Sequence, residues 1–308
     1  MPILVVVVIG FILGQGSQRW LSESRCKSIG LILSRFSLGV LIPFTVFNAL
    51  WQLEHIERSL LLLPLFGVMA VVVGVLLAFA LSRHYQLSPQ QTGAMVPIAA
   101  IYNWGSLGNL VVFLLFGESG VALLAIYKLC EELMYFGWVF PFARRSSLAD
   151  DIPARRSIWR DPLFLLMLTV ITVGFALNLS GIPRPAWIGE VIPWTVPMST
   201  ILMVFAVGLT FNTRGNQAWA PIALRLSLLR PLLVLSFVAG LLTVFDLWGA
   251  YDGLLAGVCL MLSAMPTGFM ATVPSLLYRL DQDVANTCWL YSFLVAGPVI
   301  LGLGYLLG

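Results

Sequence analysis

The sequence predicts an all-α integral membrane protein with ten transmembrane helices in a five-plus-five inverted repeat, in which helices 4 and 9 are broken and cross. Three observations lead to this fold class. Hydrophobic residues fill 59% of the 308 positions and charged residues only 10%, and the mean hydropathy is +0.95, which excludes an ordinary soluble enzyme. Apolar runs of about 20 residues, each enough to cross a bilayer core, follow one another along the chain. Polar interruptions recur at corresponding places in the two halves.

The spans follow from the apolar runs and from the charges, glycines, prolines and asparagines that separate them. The first run, "MPILVVVVIGFILG", has neither a basic segment before it nor a small-residue cleavage site, so we expect it to remain as the first span. The ten spans are predicted near residues 2–17, 29–50, 59–82, 91–116, 119–142, 162–180, 190–212, 224–245, 252–278 and 284–307.

The basic residues predict the orientation, because short cytoplasmic loops are enriched in Lys and Arg. Of the 17 basic residues, only Arg58 and Arg184 fall in loops after even-numbered spans, and Arg35, Lys128 and Arg230 fall in or at the edge of spans. The loops after odd-numbered spans hold the other twelve: Arg19, Arg25, Lys27, Arg83, Arg144, Arg145, Arg155, Arg156, Arg160, Arg214, Arg225 and Arg279. We therefore expect a multi-pass protein of the cell (inner) membrane with both termini on the extracytoplasmic side.

The longest polar stretch divides the chain near its midpoint. It predicts a first five-helix repeat at residues 1–142, a cytoplasmic linker at 143–161 and a second five-helix repeat at 162–308. Because five is odd, the second repeat must enter the membrane with the opposite orientation.

The two interrupted spans point to a binding site. Asn103 to Gly108 interrupt the fourth span and Ala264 to Gly268 the ninth, about 160 residues apart, and matched interruptions in two halves indicate the substrate site of a transporter. An unsatisfied backbone amide in hydrocarbon costs several kcal/mol, so such a break persists only where protein or water lines it. Two crossing breaks would point half-helix N-termini into one cavity, which favours an anion. Close packing of small residues is the alternative interpretation.

The candidate substrate contacts are the polar and helix-breaking residues of these two interruptions, together with Asn48 after Pro43 in the second span. They are Asn48, Asn103, Gly105, Ser106, Gly108, Asn109, Pro266, Thr267 and Gly268.

Span 5 carries Lys128, Glu131 and Glu132 near its centre. Charges at that depth cost roughly 2.5 to 3.5 kcal/mol each and seldom face lipid. One lysine can neutralise one carboxylate at i, i+3 or i, i+4 spacing. The second carboxylate is then unpaired and could carry a proton, unless another partner such as Arg35 or Arg230 approaches it. Coupling to H⁺ or Na⁺ and a structural ion pair both remain open.

Other function classes lack their sequence signatures. There is no GxxxxGK[ST] motif for an ATP-driven pump and no HExxH or GxSxG motif for an intramembrane enzyme. The four cysteines are widely separated and predict neither a disulfide framework nor a metal site. We expect no cofactor, no metal and no nucleic-acid partner. A channel, or a transporter-derived sensor or scaffold without active flux, remains the alternative to a transporter.

Three stretches carry a family resemblance: "NWGSLGNLVVFLLFGESGVALLAIY", "DPLFLLMLTVITVGFALNLSGIPRP" and "LSAMPTGFMATVPSLLYRLDQDVAN". They resemble corresponding stretches of the auxin efflux carrier family of bacteria and plants, in order over nearly the whole chain. The resemblance implies the ten-span inverted repeat, elevator-type movement, and a small organic-anion substrate such as auxin, malate or malonate. It also implies a homodimer, for which the apolar first and seventh spans could provide the surface.

The resemblance places the site at Asn103, Gly105, Gly108 and Pro266. The sequence departs from the family at two points. Asn109-Leu110 stand where the family commonly has a proline, and Thr267-Gly268 and the three following residues stand where it has a second proline and an asparagine. These departures leave the identity of the substrate open. The sequence also specifies neither the direction of transport nor the coupling ion.

Overall fold

The computed structural model describes residues 2–53, 57–148, 162–210 and 217–307, and within these ranges the chain is almost entirely helical. The α-helices are α1 (Pro2–Ser17), α2 (Glu23–Phe36), α3 (Ile42–Trp51), α4 (Leu63–His84), α5 (Pro89–Ala100), α6 (Asn109–Tyr127), α7 (Glu131–Met134), α8 (Phe140–Arg145), α9 (Pro162–Ser180), α10 (Ala186–Thr210), α11 (Ala220–Val244), α12 (Leu254–Ser263), α13 (Val273–Leu277) and α14 (Gln282–Leu307). Most of the predicted linker, residues 149–161, lies outside the described ranges.

Several helices begin at signals visible in the sequence. Ser88 caps α5 through its hydroxyl, which accepts from the Gln91 N–H, while the Gln91 side chain accepts from the Ser88 N–H. This reciprocal pair satisfies two donors that a helix start leaves unpaired, and Pro89 follows at the first helical position. Asp281 caps α14 by accepting from the Val284 N–H at 3.0 Å. Caps of this kind fix where the membrane segments begin.

Seven helices of the described ranges are long and apolar enough to cross a membrane. They are Glu23–Trp51, Ser59–His84, Trp104–Arg145, Pro162–Ser180, Ala186–Leu209, Gln217–Val244 and Gln282–Leu307, and Val8–Ser17 and Leu254–Ser263 are shorter apolar helices. The all-helical membrane class is confirmed, whereas the count of ten spans and the inverted repeat stay predictions.

The segment Trp104–Arg145 accounts for part of the difference between the seven long apolar helices and the ten predicted spans. Its 42 residues would reach about 60 Å as one helix, twice the thickness of a bilayer core. Gly117 has φ 63° and ψ −157°, a conformation that interrupts the helix and that glycine adopts without strain. The chain therefore bends at Gly117, where the sequence predicts the turn between spans 4 and 5.

The chain forms two compact units, each with helices from both halves of the sequence. Within the described ranges, the first unit holds α1, α2, α3, α9 and α10 together with Gly105–Ala125. The second unit holds α4, α5, α7, α8, α11, α12, α13 and α14 with the residues between α5 and Gly105.

Candidate functional site: the junction of two interrupted helices

The backbone leaves the helical conformation in the middle of two apolar segments of the second unit. Helix α5 ends at Ala100, and Ile101 is extended with φ −98° and ψ 116°. Helix α12 ends at Ser263, and Gly268 is extended with φ −71° and ψ 151°. Both interruptions that the sequence predicts are therefore present.

The position of the first interruption differs from the prediction. The chain is extended just before the glycine motif, at residues 101–103, and Trp104–Gly108 form a π-helical turn. Gly105 and Gly108 thus lie in a wide helical turn instead of an unwound segment. Such turns concentrate at functional sites.

The two extended segments pair with each other. The Asn103 N–H donates to the Pro266 carbonyl at 2.8 Å, and the Gly268 N–H donates to the Ile101 carbonyl at 3.0 Å. Tyr102 and Thr267 face each other between these bonds as an antiparallel bridge. The pairing satisfies two backbone donors that an interrupted membrane helix leaves open, so each break stabilises the other.

Gly268 permits this close approach. A Cβ atom at position 268 would lie 2.7 Å from the Tyr102 carbonyl oxygen and 3.1 Å from its carbon. Both contacts are with backbone atoms, which cannot move aside without breaking the pairing. The two segments can therefore pair at this distance only because residue 268 has no side chain.

A buried arginine of α11 binds the junction. Arg230 is 4% exposed. Its Nη1 donates to the Ile98 carbonyl at 2.9 Å and to the Thr267 hydroxyl at 2.8 Å, and its Nη2 donates to the Met265 carbonyl at 2.7 Å. Its guanidinium carbon lies 4.2 Å from the centre of the Tyr102 ring, within the range of a cation–π contact.

The apolar pattern places Arg230 in or at the edge of a span and does not by itself predict this role. The signal was available, because a charge inside an apolar segment is a functional candidate by default. What the sequence did not show is that residue 230 meets two breaks that lie 37 and 132 residues away from it along the chain.

Aromatic rings support the junction from within the second unit. Trp104 is fully buried, stacks on Tyr102 with ring centres 4.7 Å apart and meets Tyr127 edge-on at 5.0 Å. Its Nε1 donates to the Leu262 carbonyl at 2.9 Å, near the end of α12. The indole therefore satisfies its own donor and a helix-end carbonyl together.

Four of the candidate substrate contacts belong to the second unit: Asn103, Pro266, Thr267 and Gly268. The structure brings these four together at the bridge.

The other five candidate contacts belong to the first unit: Asn48, Gly105, Ser106, Gly108 and Asn109. The Ser106 carbonyl accepts from the Thr200 hydroxyl at 3.1 Å. Asn109 is 1% exposed, and neither atom of its amide has a hydrogen-bond partner among the described residues. The Asn48 amide nitrogen donates to the Phe44 carbonyl at 2.7 Å, but its oxygen is buried without a partner there. Buried amide groups in this state are rare in native structures and call for an explanation.

The charged cluster of span 5 contains an ion pair. Lys128 Nζ lies 3.0 Å from Glu131 Oε2, with both side chains largely buried. The helix is interrupted at residues 128–130, where the sequence predicts a continuous span, and Glu131 and Glu132 occupy the first turn of α7. Carboxylates at a helix start interact favourably with its dipole, which helps to hold these charges in an apolar segment.

Tyr135 connects this cluster to the junction. Its hydroxyl accepts from the Tyr102 N–H at 3.2 Å, and Tyr135 follows Glu131 by four residues, which is about one helical turn. A polar path within the second unit thus runs from Lys128 through Glu131 and Tyr135 to the bridge at Tyr102.

Comparison with known proteins gives two matches. Residues 1–153 match a family model described as "Membrane transport protein". The chain is also 25% identical over 296 residues to a protein described as an uncharacterized transporter from Methanothermobacter thermautotrophicus, covering 94% of this chain and 90% of that protein. Both matches indicate a transporter and not an enzyme. They confirm the resemblance to the auxin efflux carrier family that the sequence predicts, and they indicate a multi-pass membrane transport protein.

Proposed function

We propose that this protein is a secondary active transporter that moves a small organic anion across the cell inner membrane by elevator-type alternating access. The anion is a mono- or dicarboxylate or an auxin-like molecule, and both termini lie on the extracytoplasmic side. The observation that carries the proposal is the pairing of two interrupted helices through Asn103, Pro266 and Gly268. Irregular backbone at membrane depth is tolerated where it is buried in protein or lines a cavity, and transporters place substrate sites there.

The division of the chain supports the alternating-access part of the proposal. The first unit takes the helices that correspond to predicted spans 1, 2, 6 and 7, which are the first two spans of each repeat, together with Gly105–Ala125 of predicted spans 4 and 5. An inverted repeat in which each unit draws matching spans from both halves accounts for the placement of the four whole spans, but not for that of Gly105–Ala125. Alternating access then consists of the movement of one unit against the other.

Coupling to a proton or a sodium ion is assigned in this proposal to Glu131, Glu132 and Lys128. The support is the polar path through Tyr135, which joins the ion pair to the bridge. Ion binding at the carboxylates would therefore affect the bridge, where the substrate is proposed to bind.

Uptake into liposomes that contain the purified protein tests the function. We expect saturable uptake of at least one organic anion, and its loss in Asn103→Ala and in Gly108→Leu at unchanged membrane expression. Asn286→Ala is the control, because Asn286 is also half-buried and lies in α14 of the same unit. Wild-type uptake by the Asn103→Ala protein would refute the site, and the absence of flux for every anion would favour a sensor or scaffold.

A further inference from the structure

A small cavity lies beside the junction within the second unit. Its walls include Ser227 and Arg230 of α11, Pro266 and Thr267 of the second break, and Ser292 of α14. The centre of a water-sized sphere has about 10 Å³ in which to move, enough for one water molecule. Arg230 is the charged side chain in this wall.

The guanidinium retains donors that its contacts with the described residues do not use. The three hydrogen bonds to Ile98, Thr267 and Met265 use three N–H groups of the five that an arginine carries. Two N–H groups therefore remain for a ligand. The Ser227 hydroxyl, on the same helix and the same cavity wall, is buried without a hydrogen-bond partner among the described residues.

Within the described ranges, the positive charge of Arg230 lacks a counter-charge. The ion pairs formed there join Lys27 with Glu23, Lys128 with Glu131 and Arg184 with Glu118. None of them includes Arg230, whose partners are two carbonyl groups, one hydroxyl and one aromatic ring. Buried charges are normally paired with an opposite charge or with a metal.

A purely structural role for Arg230 is the rival explanation. Ile98 lies in the last turn of α5 and Met265 follows the end of α12, so the guanidinium also binds carbonyls near two helix C-termini, which carry partial negative charge. This role explains three hydrogen bonds. It explains neither the remaining donors nor the unpartnered hydroxyl of Ser227 on the same cavity wall.

We propose that Arg230 binds the carboxylate of the transported anion, and that the site accepts one carboxylate and no more. This inference rests on the proposed function and narrows it to monocarboxylates. A guanidinium matches a carboxylate through two parallel N–H bonds, and the Ser227 hydroxyl supplies a third donor. The other polar groups of the wall, Thr267 and Ser292, are neutral hydroxyls. A second carboxylate would therefore be buried without a positive partner, which is strongly unfavourable.

Entry of the ligand requires the cavity to widen, since it now admits only a water-sized molecule. The site lies between α11, α14 and the second break.

Ligand-induced thermal stabilisation of the purified protein provides the test, because a ligand that binds the folded state raises its melting temperature. The probes are lactate, benzoate and indole-3-acetate as monocarboxylates, malate and malonate as dicarboxylates, and the neutral amides of the three monocarboxylates. We expect at least one monocarboxylate to stabilise the wild-type protein, and its amide and the dicarboxylates to do so at least tenfold more weakly in Kd. The same order is expected for uptake into liposomes.

Variants of α11 separate ligand binding from helix capping. Arg230→Gln should weaken monocarboxylate binding at least tenfold and abolish the preference over the amide. Arg230→Lys should keep the preference for an anion but bind it more weakly, because an ammonium lacks the planar fork of donors. Arg225→Gln is the control, since Arg225 lies on the same helix over the Tyr85 ring, 5.3 Å from its centre.

Each outcome decides the question. If Arg230→Gln has a lower melting temperature but unchanged affinity and charge preference, Arg230 is only a structural cap and the inference is wrong. Tighter binding and transport of dicarboxylates by the wild-type protein overturns the inference while the proposed function stands. Stabilisation and transport of the neutral amides alone overturns both. If neither Arg230 variant folds, the comparison of mono- and dicarboxylates on the wild-type protein decides alone.

Discussion

The backbone N–H of Asn103 donates a 2.8 Å hydrogen bond to the carbonyl oxygen of Pro266, which joins two segments 163 residues apart in the sequence. Together with the return bond from Gly268 to Ile101, it makes the two helix interruptions one structural feature. Neither break would be tolerated alone in an apolar environment, because each would leave backbone groups unsatisfied. Substitutions that disturb one break should therefore affect the other.

Gly268→Ala tests this dependence through sterics. The added methyl group would lie 2.7 Å from the Tyr102 oxygen, so the pairing must open or shift, and we expect a loss of about 1–3 kcal/mol in the free energy of unfolding together with loss of uptake. Gly297→Ala in α14 is the matched control, because a methyl group added at position 297 would have no neighbouring atom within 4 Å among the described residues. Equal melting temperatures for the two variants would show that the close approach at Gly268 does not matter.

Trp104→Ala tests the aromatic support of the junction. The indole is fully buried between Tyr102 and Tyr127 and donates to Leu262, so its removal should cost about 3–5 kcal/mol through cavity formation. Trp194→Ala, at a side chain 77% exposed, should change the melting temperature little. Thermal unfolding in detergent measures both, and a Trp104→Ala protein as stable as wild type would contradict the described packing.

Asn109→Leu separates function from stability. The Asn109 amide is buried without hydrogen-bond partners among the described residues, and leaving such a group unpaired costs about 1–3 kcal/mol. We expect the leucine variant to be more stable than wild type in thermal unfolding and less active in uptake, which is typical of a residue kept for function.

Asn178→Leu provides the contrast for Asn109. The Asn178 side chain donates to the carbonyls of Trp51 and Leu53 at 2.9 and 2.6 Å, so its replacement should destabilise the protein. A destabilised Asn109→Leu protein would indicate that Asn109 is an ordinary structural residue.

Glu131→Gln and Glu132→Gln test ion coupling and the ion pair together. Breaking a fully buried ion pair costs about 3–5 kcal/mol in the free energy of unfolding. The side chains of Lys128 and Glu131 are still 17% and 8% exposed. We therefore expect Glu131→Gln to lower the free energy of unfolding by an amount at or below the lower end of that range. Glu23→Gln, which disrupts an exposed pair with Lys27, should leave the melting temperature almost unchanged, because solvent screens exposed ion pairs.

The transport experiment with these variants uses an imposed pH gradient or sodium gradient. If Glu131 carries the coupling ion, uptake by Glu131→Gln becomes independent of that gradient. Gradient-driven uptake that survives in both glutamate variants would leave the cluster a structural ion pair.

Much of the fold can be predicted from the length and spacing of the apolar runs in a single sequence. The apolar runs predict α1 and α9 at the bounds observed, Pro2–Ser17 and Pro162–Ser180, because hydrocarbon thickness fixes the length of an apolar segment. The two interruptions are also predictable, since glycine, proline and amide side chains are costly inside such runs.

The parts that could not be predicted depend on contacts distant in sequence. Residues 101–103 are extended because they pair with residues 266–268. The break therefore lies before Gly105 and Gly108, where the sequence predicts it. Arg230 belongs to the junction through contacts with Ile98 and Met265, and no local pattern specifies such partners. The turn at residues 128–130 is a local feature: it places Glu131 and Glu132 at a helix start inside a run that the apolar pattern predicts as continuous.

A cysteine cross-link between the two breaks is the most direct measurement of their meeting. Tyr102 and Thr267 face each other as a pair that exchanges no hydrogen bonds with each other, an arrangement with Cα atoms about 4.5 Å apart, within the range for a disulfide. Tyr102→Cys with Thr267→Cys should form a disulfide in membranes on mild oxidation, detected by mass spectrometry as one peptide joining both positions, whereas Tyr102→Cys with Thr272→Cys should not. The absence of the joined peptide in the first pair, or its equal yield in both, would contradict the meeting of the two interrupted helices.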